Sequence, residues 1–479
     1  MSNAQNLLVV LSDEHQARAM GWAGHPLVKT PNLDRFAAQA TRFTNAYTPS
    51  PICVPARASF ATGRHVHETR LWDNAMPYTG AIPGWGHALQ SAGVPVESIG
   101  KLHYRHADDP DGFDQKHMPM MVVDGIGMVW ASMRRPEERV SGRPRMLGPR
   151  IGAGESAYTA YDRDVTETTC DWLSRHADDD TPWCLYVGLV APHFPLIAPP
   201  DFYDLYPADA LPNPKLHPRD GYERHPWVEL QNAFMDSEGA FTEEDERLRA
   251  MSAYFGLCSW LDHNVGRILD TLETVGLSER TTVVYSSDHG DNNGARGMWG
   301  KSCLYQESTH VPLLAKGPDF PAGDCDTPVS LLDLSAGIAA HFGTSIAASD
   351  GVRPLQDIAR KPTEPDRPIL SQYHAAGAVS AAYMLRIGRW KYHHYVGFSP
   401  ELFDLETDPE EARDLAQDPA FAAQLAEMEK ALRAQLDPDA VNAQAFADQD
   451  ALVVSYGGPE AARALGAPGA TPPPAAPGR

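Results

Sequence analysis

The sequence predicts an α/β protein: a large, mixed and mostly parallel sheet sandwiched by helices, with a smaller C-terminal α+β domain that carries a short antiparallel sheet. The first observation is that apolar runs typical of buried strands alternate with helix-like segments, which favours a sheet covered on both faces. These runs are NLLVVLS, VPVESIG, WCLYVGLV, TTVVYSS and VPLLAKG. The second is a change from about Arg353, where RPILSQYH, AAYMLRIG and RWKYHHYVG resemble short amphipathic antiparallel strands.

The length of the chain, 479 residues, exceeds what one hydrophobic core usually organises and predicts more than one domain. We place the large α/β domain at residues 1–352 and the smaller domain at 353–437. Residues 438–479 end in the Pro/Ala/Gly-rich run GAPGATPPPAAPGR, which predicts an extended or partly disordered tail. Residues 104–160 show little regular periodicity and are predicted to form a long functional insertion.

The composition excludes several classes of partner. The formal net charge of −23 argues against nucleic acid, whose phosphates would be repelled, but allows a small anionic substrate in a cleft lined by a few cations. The N-terminal apolar run is too short for a signal sequence or a membrane span. The six cysteines form no CxxC pair of the kind found in zinc ribbons. We therefore expect a cytoplasmic protein with no membrane partner.

The stretch CVPARASFATGR places Cys53, Pro55 and Arg57 at alternate positions after a loop rich in turn formers. Cys53 is predicted to enter the N-terminus of a short helix, where free N–H groups and the helix dipole favour negative charge. Taken alone, the stretch also fits a small apolar residue beside a loop proline, with Arg57 solvated.

Ionisable side chains follow strand after strand of the predicted sheet. Ligands of open α/β sheets bind beyond the carboxyl ends of the strands, so these side chains are expected to meet at one rim. In chain order they are Asp13, Glu14, Lys101, His103, His193, Asp288, His289 and Lys301.

Three of these residues suit a metal ion. Asp13, Asp288 and His289 are suitable ligands for a single divalent cation, with Glu14 as a candidate fourth ligand. The run SDHGD could instead be an Asx turn that closes a strand. A second Asp-His pair, Asp262 and His263, lies inside a helical pattern and is predicted to be a helix-surface or packing feature rather than a metal site.

The remaining basic side chains would surround a tetrahedral oxyanion. Arg57, Lys101 and Lys301 supply donors, and His103 and His193 offer two proton-transfer groups. Taken singly, Lys101 and His103 are better explained as a solvated lysine and a structural histidine.

With these motifs in place, the chain resembles the sulfatase family of the alkaline phosphatase superfamily. CVPARASFATGR is similar to the CxPxR signature with its downstream T-G-R, GKLHY to the G-K-x-H motif, and APHFP to the P-H-x-P motif. SSDHGDNNGARGMWGKSCLYQESTHVPLL resembles the late metal-and-lysine block, and ELFDLETDPEEARDLA the C-terminal domain. The resemblance spans residues 6 to about 417 and implies that the segment 1–352 is a catalytic, alkaline-phosphatase-like domain.

The resemblance also implies a modified residue. In this family the cysteine of CxPxR, here Cys53, is oxidised to Cα-formylglycine by a formylglycine-generating enzyme that reads the proline and the arginine. One hydroxyl of the hydrated aldehyde would attack sulfur, and the second would expel sulfate. One divalent cation contacted by residue 53 is implied, with Arg57 holding the modified residue. His193 is implied as the proton donor to the leaving alcohol, and His103 as a candidate base.

Some positions depart from the commonest family pattern. Many sulfatases have Asp-Asp where this chain has Asp13-Glu14, and Asp-Asn where it has Asp288-His289. The second pair resembles the choline-sulfatase and phosphonate monoester hydrolase branch, in which Asn74 of RLWDNAMP matches an asparagine that reaches the substrate. An imidazole ligand shifts the preference from Ca²⁺ toward Mn²⁺ and leaves both open.

The leading hypothesis is a formylglycine-dependent hydrolase of small anionic sulfate monoesters, of the arylsulfatase or choline-sulfatase kind and with homo-oligomeric assembly. The alternative is a phosphonate monoester or phosphodiester hydrolase with the same machinery, or one enzyme promiscuous for both. Lys101 and His103 favour the sulfatase. The ligands present suit one ion, which disfavours a two-zinc phosphatase, and the intact motifs disfavour a non-catalytic binding protein. Trp130 and the methionines of the insertion could form a site for a quaternary ammonium such as choline, or could serve packing or a lid.

Overall fold

The computed structural model describes residues 5–139, 147–148, 150–243, 245–466 and 471–474. The strands are β1 (Asn6–Asp13), β2 (Thr41–Phe43), β3 (Ala46–Tyr47), β4 (Val96–Lys101), β5 (Gln115–Met120), β6 (Gly152–Ala153), β7 (Cys184–Pro192), β8 (Ile197–Ala198), β9 (Thr281–Ser287), β10 (Leu313–Lys316), β11 (Gly323–Cys325), β12 (Val329–Ser330), β13 (Ile369–Tyr373), β14 (Ala382–Ile387), β15 (Trp390–Tyr395) and β16 (Glu401–Asp404). The helices are α1 (Pro31–Ala37), α2 (Cys53–Thr62), α3 (Val66–Thr69), α4 (Trp85–Ser91), α5 (Ala157–Arg175), α6 (Pro200–Tyr203), α7 (Pro226–Met235), α8 (Glu246–Thr274), α9 (Gln306–Thr309), α10 (Leu331–His341), α11 (Leu355–Ala359), α12 (Ala422–Gln435), α13 (Pro438–Ser455) and α14 (Pro459–Arg463).

The large sheet confirms the predicted fold class. Over the described residues its strand order is β11-β2-β10-β9-β1-β7-β4-β5. β1 lies between β7 and β9 and is parallel to both, and β4 and β5 continue the parallel pairing beyond β7. Because β10 is antiparallel to β9 and β2, the sheet is mixed but mostly parallel.

Alternate side chains of β1 contribute to two cores on opposite faces of the sheet. Leu8 and Val10 pack in a core with α5 and α8, whereas Leu7, Val9 and Leu11 pack in a core with α2, α4 and α10. Because helices cover both faces, every residue of β1 is buried. The strand that ends in the first predicted metal ligand therefore runs through the centre of the domain.

The smaller sheet is the antiparallel one that the sequence predicts. β13, β14, β15 and β16 are neighbours in chain order and pair antiparallel. One face, with Tyr373 and Met384, packs against Tyr305, which lies between β9 and β10 in the chain. The other face, with Leu385, packs against Leu432 of α12. Both faces of this sheet are thus buried.

The segment after residue 437 corrects the prediction of an extended tail, because it folds into α13 and α14. The Asp437 side chain accepts hydrogen bonds from the N–H groups of Asp439 and Ala440, and Pro438 occupies the first turn, where its missing N–H costs nothing. Ala445, Gln449 and Val453 are buried at a spacing of four residues. The Pro-rich end of the chain indicates an irregular tail, so the alanine-rich helix that precedes it is not predicted from the composition of this segment.

The insertion at 104–160 contains more regular structure than its sequence suggests. It contributes β5 to the edge of the large sheet and a 3₁₀ turn, Val129–Ser132, on which α13 and α14 pack.

Among the described helices, none combines the length and the apolar character that crossing a bilayer requires.

Candidate active site

The predicted convergence at one rim of the sheet is present in the structure. Asp13 ends β1 and Lys101 ends β4, while His193 follows β7 and Asp288 follows β9. Because these four strands are parallel neighbours, their carboxyl ends meet, and the N-terminus of α2 lies against them with Cys53 as its first residue.

Four buried side chains at this rim form a metal-binding arrangement. The ligand atoms of Asp13, Cys53, Asp288 and His289 all lie within 4.8 Å of one another. The Cys53 sulfur is 3.2 Å from the Nε2 atom of His289 and 3.6 Å from the Oδ1 atom of Asp13. Asp13, Asp288 and His289 are the three residues that the sequence predicts as suitable ligands for a divalent cation. Cys53 is the first residue of the CxPxR motif.

Each carboxylate of this group has one oxygen held by a cation and the other facing the group. Oδ2 of Asp13 is paired with Lys101 and lies 3.3 Å from Arg57, and Oδ2 of Asp288 accepts a 2.7 Å bond from Nε of Arg57. The two Oδ1 atoms lie 3.7 and 3.6 Å from Nε2 of His289. Burial alone would raise the pKa of Asp13, but Lys101 and Arg57 help to hold it well below its usual range. An anionic ligand is therefore maintained inside a buried site.

The orientation of His289 completes the donor set. Its Nδ1 atom lies 3.0 Å from the carbonyl oxygen of Gly290, which can only accept, so Nδ1 carries the proton and the lone pair of Nε2 faces the carboxylates. Two carboxylate oxygens and one imidazole nitrogen fit a single divalent cation.

Arg57 ties the motif helix to the metal-binding carboxylates. It is 1% exposed, and besides Asp288 it donates to the carbonyl oxygen of Lys101 at 3.1 Å and to the hydroxyl of Tyr186 at 2.9 Å. Burial would lower the pKa of this guanidinium, but Asp288 and Asp13 raise it well above its usual value. Arg57 thus stays charged and fixes the start of α2 relative to β1 and β9.

Glu14 occupies a second group beside the first. Its Oε2 atom lies 2.9 Å from Nζ of Lys301 and 3.3 Å from Nε2 of His193, and together with Asp13 and His193 it could also hold an ion. Burial raises the pKa of Glu14 to about 8. The structure therefore places this candidate fourth ligand against Lys301 and His193, outside the group around Cys53.

His193 and Lys301 are in direct contact. The Nδ1 atom of His193 lies 2.5 Å from the carbonyl oxygen of Phe194 and therefore carries the proton, while Nε2 accepts a 2.7 Å bond from Nζ of Lys301. Burial and Lys301 lower the pKa of His193 well below its usual value. Burial would also lower the pKa of Lys301, but Cys53, Glu14 and Asp13 raise it well above its usual value. The proton shared by this pair accordingly rests on Lys301.

A small cavity of about 70 Å³ opens beside the Cys53 sulfur. Six of its polar lining residues are ones that the sequence singles out: Cys53, Asn74, Lys101, His103, His193 and Lys301. Its apolar lining includes Met128, Trp130, Tyr158, Phe194 and Trp299. The lining thus combines groups that suit an anion with aromatic surface that suits an apolar or cationic organic group, and the two adjoin where Nζ of Lys301 lies 4.9 Å from the centre of the Phe194 ring.

Asn74 is fixed against the start of α2. Its Oδ1 atom accepts a 3.3 Å hydrogen bond from the N–H of Val54, which leaves the amide N–H groups as the donors available to a ligand. The neighbouring Asp73 is buried and accepts from Ser132 at 2.8 Å and from Gln449 of α13 at 2.6 Å. The C-terminal helix therefore supports this wall of the cavity.

Thr471 also lines the cavity, and sequence reasoning missed it. Its hydroxyl lies 2.8 Å from Nε2 of His103, and its carbonyl oxygen accepts from the hydroxyl of Tyr158. Tyr158, Phe194, Trp299 and Ser302 were also missed as lining residues. Phe194 and Ser302 adjoin motif residues and could have been found from them, whereas no signal in the sequence marks Thr471.

The second Asp-His pair serves packing, as its helical setting predicts. The Asp262 carboxylate is buried in α8 and accepts from the N–H groups of Leu33 at 2.7 Å and Asn32 at 3.2 Å. These belong to the first turn of α1, which Asp262 therefore caps from a distant part of the chain.

Comparisons with known proteins agree with this arrangement. The family model described as "Sulfatase" matches residues 5–344, and the model described as "N-sulphoglucosamine sulphohydrolase, C-terminal" matches residues 294–437. The chain is 34% identical over 429 residues to a choline-sulfatase of Rhizobium meliloti, covering 86% of this chain and 83% of that protein. It is 30% identical over 444 residues to arylsulfatase K of Bos taurus, covering 86% and 78%. Its fold is similar to that of the phosphonate monoester hydrolase of Silicibacter pomeroyi, with a TM-score of 0.73, 23% identity and coverage of 89% and 94%.

Proposed function

Because this chain belongs to the sulfatase family of sulfuric ester hydrolases, we propose that it converts sulfate monoesters to an alcohol and inorganic sulfate through Cα-formylglycine at position 53. The observation that carries the proposal is the place of Cys53. Its sulfur adjoins the donor atoms of Asp13 and His289 and at the same time faces a cavity lined by cations. The sulfur stands where the oxygens of a hydrated formylglycine would be.

The modified residue would supply two hydroxyl groups. One would attack sulfur as the S–O bond to the alcohol breaks. The second, once deprotonated, would form the C=O bond of the aldehyde as the C–O bond to sulfate breaks, and water would then restore the hydrate. The chain's own residues prepare that position. Arg57 binds the carboxylate of Asp288, and Asn74 accepts a hydrogen bond from the N–H of Val54. Both contacts fix the first turn of α2 and so hold residue 53 at a defined distance from the carboxylates. His103, which lines the same cavity, is the candidate base for the hydrate.

Asp13, Asp288, His289 and residue 53 would hold one divalent cation, either Ca²⁺ or Mn²⁺. When bound, such an ion stabilises negative charge on the attacking and sulfate oxygens. The protein prepares for it by placing both Oδ1 atoms within 3.7 Å of Nε2 of His289, while Arg57 and Lys101 bind the Oδ2 atoms. We propose this one-metal site as the only one needed for the reaction.

The sulfate group would lie among the cations and hydrogen-bond donors that line the cavity. Lys101, Lys301 and the amide of Asn74 supply positive charge and donors around a tetrahedral anion, in a site where burial strengthens each interaction. This arrangement suits the singly charged sulfate monoester that the family hydrolyses.

His193 would deliver the proton to the departing alcohol. Because its Nδ1 proton is bound to the Phe194 carbonyl, only Nε2 can face the leaving oxygen, and Nε2 now accepts from Lys301. The proton would pass from Lys301 to Nε2 of His193 and from there to the alkoxide, so that the two side chains act as one acid.

The leaving alcohol would lie against the aromatic side chains of the cavity. Trp130, Tyr158, Phe194 and Trp299 are among its lining residues. Aromatic faces attract quaternary ammonium groups, and a choline-sulfatase is among the relatives of this chain. We therefore propose a small alcohol, with choline as the first candidate.

The test is an activity screen with choline sulfate, a nitrophenyl sulfate and a phosphonate monoester, using protein made in a host that contains a formylglycine-generating enzyme. We expect the highest kcat/KM for a sulfate ester and loss of all three activities in Cys53→Ala. A highest kcat/KM for the phosphonate monoester would favour the alternative hydrolase with the same machinery. Activity that survives Cys53→Ala would defeat the covalent mechanism.

A further inference from the structure

The strand that leads to His193 departs from regular pairing just before it reaches the site. β7 pairs with β1 in register from Cys184 to Gly188, but the next pair joins Asp13 to Pro192. β1 thus advances by two residues while β7 advances by four. The pairing of β7 with β4 also ends at Gly188. The residues of β7 between these points therefore form a bulge, where N–H groups lose their partners in the sheet.

The carboxylate of Asp162, in α5, binds two of these N–H groups. One oxygen accepts from Val190 and the other from Ala191, each at 2.7 Å. Asp162 is 1% exposed, and burial raises its pKa to about 7. A buried side chain with two acceptor oxygens is thus matched to two adjacent N–H groups that need acceptors.

The bulge is connected directly to the imidazole of His193. The N–H of His193 donates to the carbonyl oxygen of Val190 at 3.0 Å, so the residue that Asp162 holds also closes the turn that carries His193. At the other side of that turn, Nε2 of His193 meets Lys301 and Glu14. Asp162 does not line the cavity and would act only through this turn.

On the basis of the function proposed above, we infer that Asp162 is a positioning residue for His193, which it holds at the distance and angle needed to protonate the leaving group. A carboxylate is required because both of its oxygens accept. An amide at this position offers one acceptor and directs its NH₂ group at the second N–H, which would shift the turn. Misplacement of a catalytic group by about 1 Å can cost about 100-fold in rate.

The test uses Asp162→Asn, His193→Ala and the double variant, assayed with aryl sulfates of graded phenol pKa. We expect Asp162→Asn to steepen the dependence of rate on leaving-group pKa, with losses of about 10–100-fold for the most basic leaving groups and much smaller losses for nitrophenyl sulfate. In the double variant we expect rates within about 2-fold of those of His193→Ala. Once the imidazole is absent, Asp162 has no proton donor to position, so its substitution adds little further loss.

Thr169→Val is the matched control. Thr169 is buried two turns further along α5, and its hydroxyl donates to the carbonyl oxygen of Val165 at 2.8 Å rather than to Asp162 or the bulge. We expect this variant to lower stability without changing the leaving-group dependence. If Asp162→Asn does not fold, Asp162→Glu, which keeps both acceptors one methylene further out, is tested in the same way.

The positioning role would be overturned by two results together. Asp162→Asn would lose the same factor in rate for every leaving group, and the loss in the double variant would equal the product of the losses in the two single variants. Asp162 would then have a purely structural role. Parallel lines for His193→Ala and wild type would instead defeat the proposed role of His193, and the inference about Asp162 with it. The two failures are therefore distinguishable.

Discussion

The Nζ atom of Lys301 lies 2.7 Å from the Nε2 atom of His193, and Nδ1 of the same imidazole is bound to the carbonyl oxygen of Phe194. The two contacts fix the tautomer of His193 and leave one nitrogen for proton transfer. Because Nδ1 carries its proton and Nε2 accepts from Lys301, the histidine is neutral, and in the proposed mechanism it would receive its second proton from the lysine. Lys301 would then act as part of the acid as well as a sulfate ligand.

We predict that His193→Ala impairs alkyl sulfates more than nitrophenyl sulfate. A proton donor matters most when the departing alkoxide is a strong base, and general acid catalysis contributes about 10²–10⁴-fold. The comparison of kcat for the two substrate classes in wild type and variant measures this. A histidine that only bonds a sulfate oxygen would give similar losses for every leaving group.

We predict one divalent cation per chain and its loss in Asp288→Asn. Replacing this carboxylate removes a ligand and also an ion-pair partner of Arg57. The matched control is Asp262→Asn, which changes an equally buried aspartate that caps α1 and should leave the metal content unchanged. Elemental analysis of the purified proteins measures the metal content per chain. Two tightly held zinc ions per chain would contradict the one-metal site.

We predict that Trp130→Ala raises KM for choline sulfate by about 2–30-fold more than for its uncharged isostere, in which carbon replaces nitrogen. A cation over an aromatic face gains about 0.5–2 kcal/mol that a neutral group of the same shape does not. Steady-state kinetics with the two esters measure the difference. Equal effects on both would show that Trp130 supplies shape and packing only.

We predict that Gln449→Leu lowers the free energy of unfolding by about 1–3 kcal/mol. The amide of Gln449 donates to Asp73 at 2.6 Å and accepts from Nε of Arg134 at 2.7 Å, so the substitution leaves two buried charged groups without this partner. Gln444→Leu, at an exposed position of the same helix, is the control and should change stability by less than about 0.5 kcal/mol. Equal stability of both variants and wild type would show that α13 is not integrated in the fold.

Much of the fold could be predicted because its signals are local. The apolar runs that become β1, β7 and β9 are long and bounded, and an ionisable residue at each strand end marks the rim where Asp13, His193 and Asp288 meet. Local signals also identify the C-terminal antiparallel sheet.

The parts that could not be predicted depend on contacts between distant residues. Thr471 reaches His103 across 368 positions, and its Pro-rich surroundings indicate only an irregular tail. Asp162 lies in an ordinary helical sequence, and its partners exist only because the pairing of β7 is interrupted. Glu14 follows a predicted ligand, but its own partner, Lys301, comes from a loop far along the chain.

The most direct test of the central claim is the mass of the tryptic peptide that contains position 53, from active protein made in a host with a formylglycine-generating enzyme. We predict a peptide lighter than the cysteine form by the difference between a CH₂SH group and an aldehyde, in a fraction of molecules that rises and falls with specific activity. A fully active preparation in which every such peptide carries the intact thiol would contradict the formylglycine mechanism.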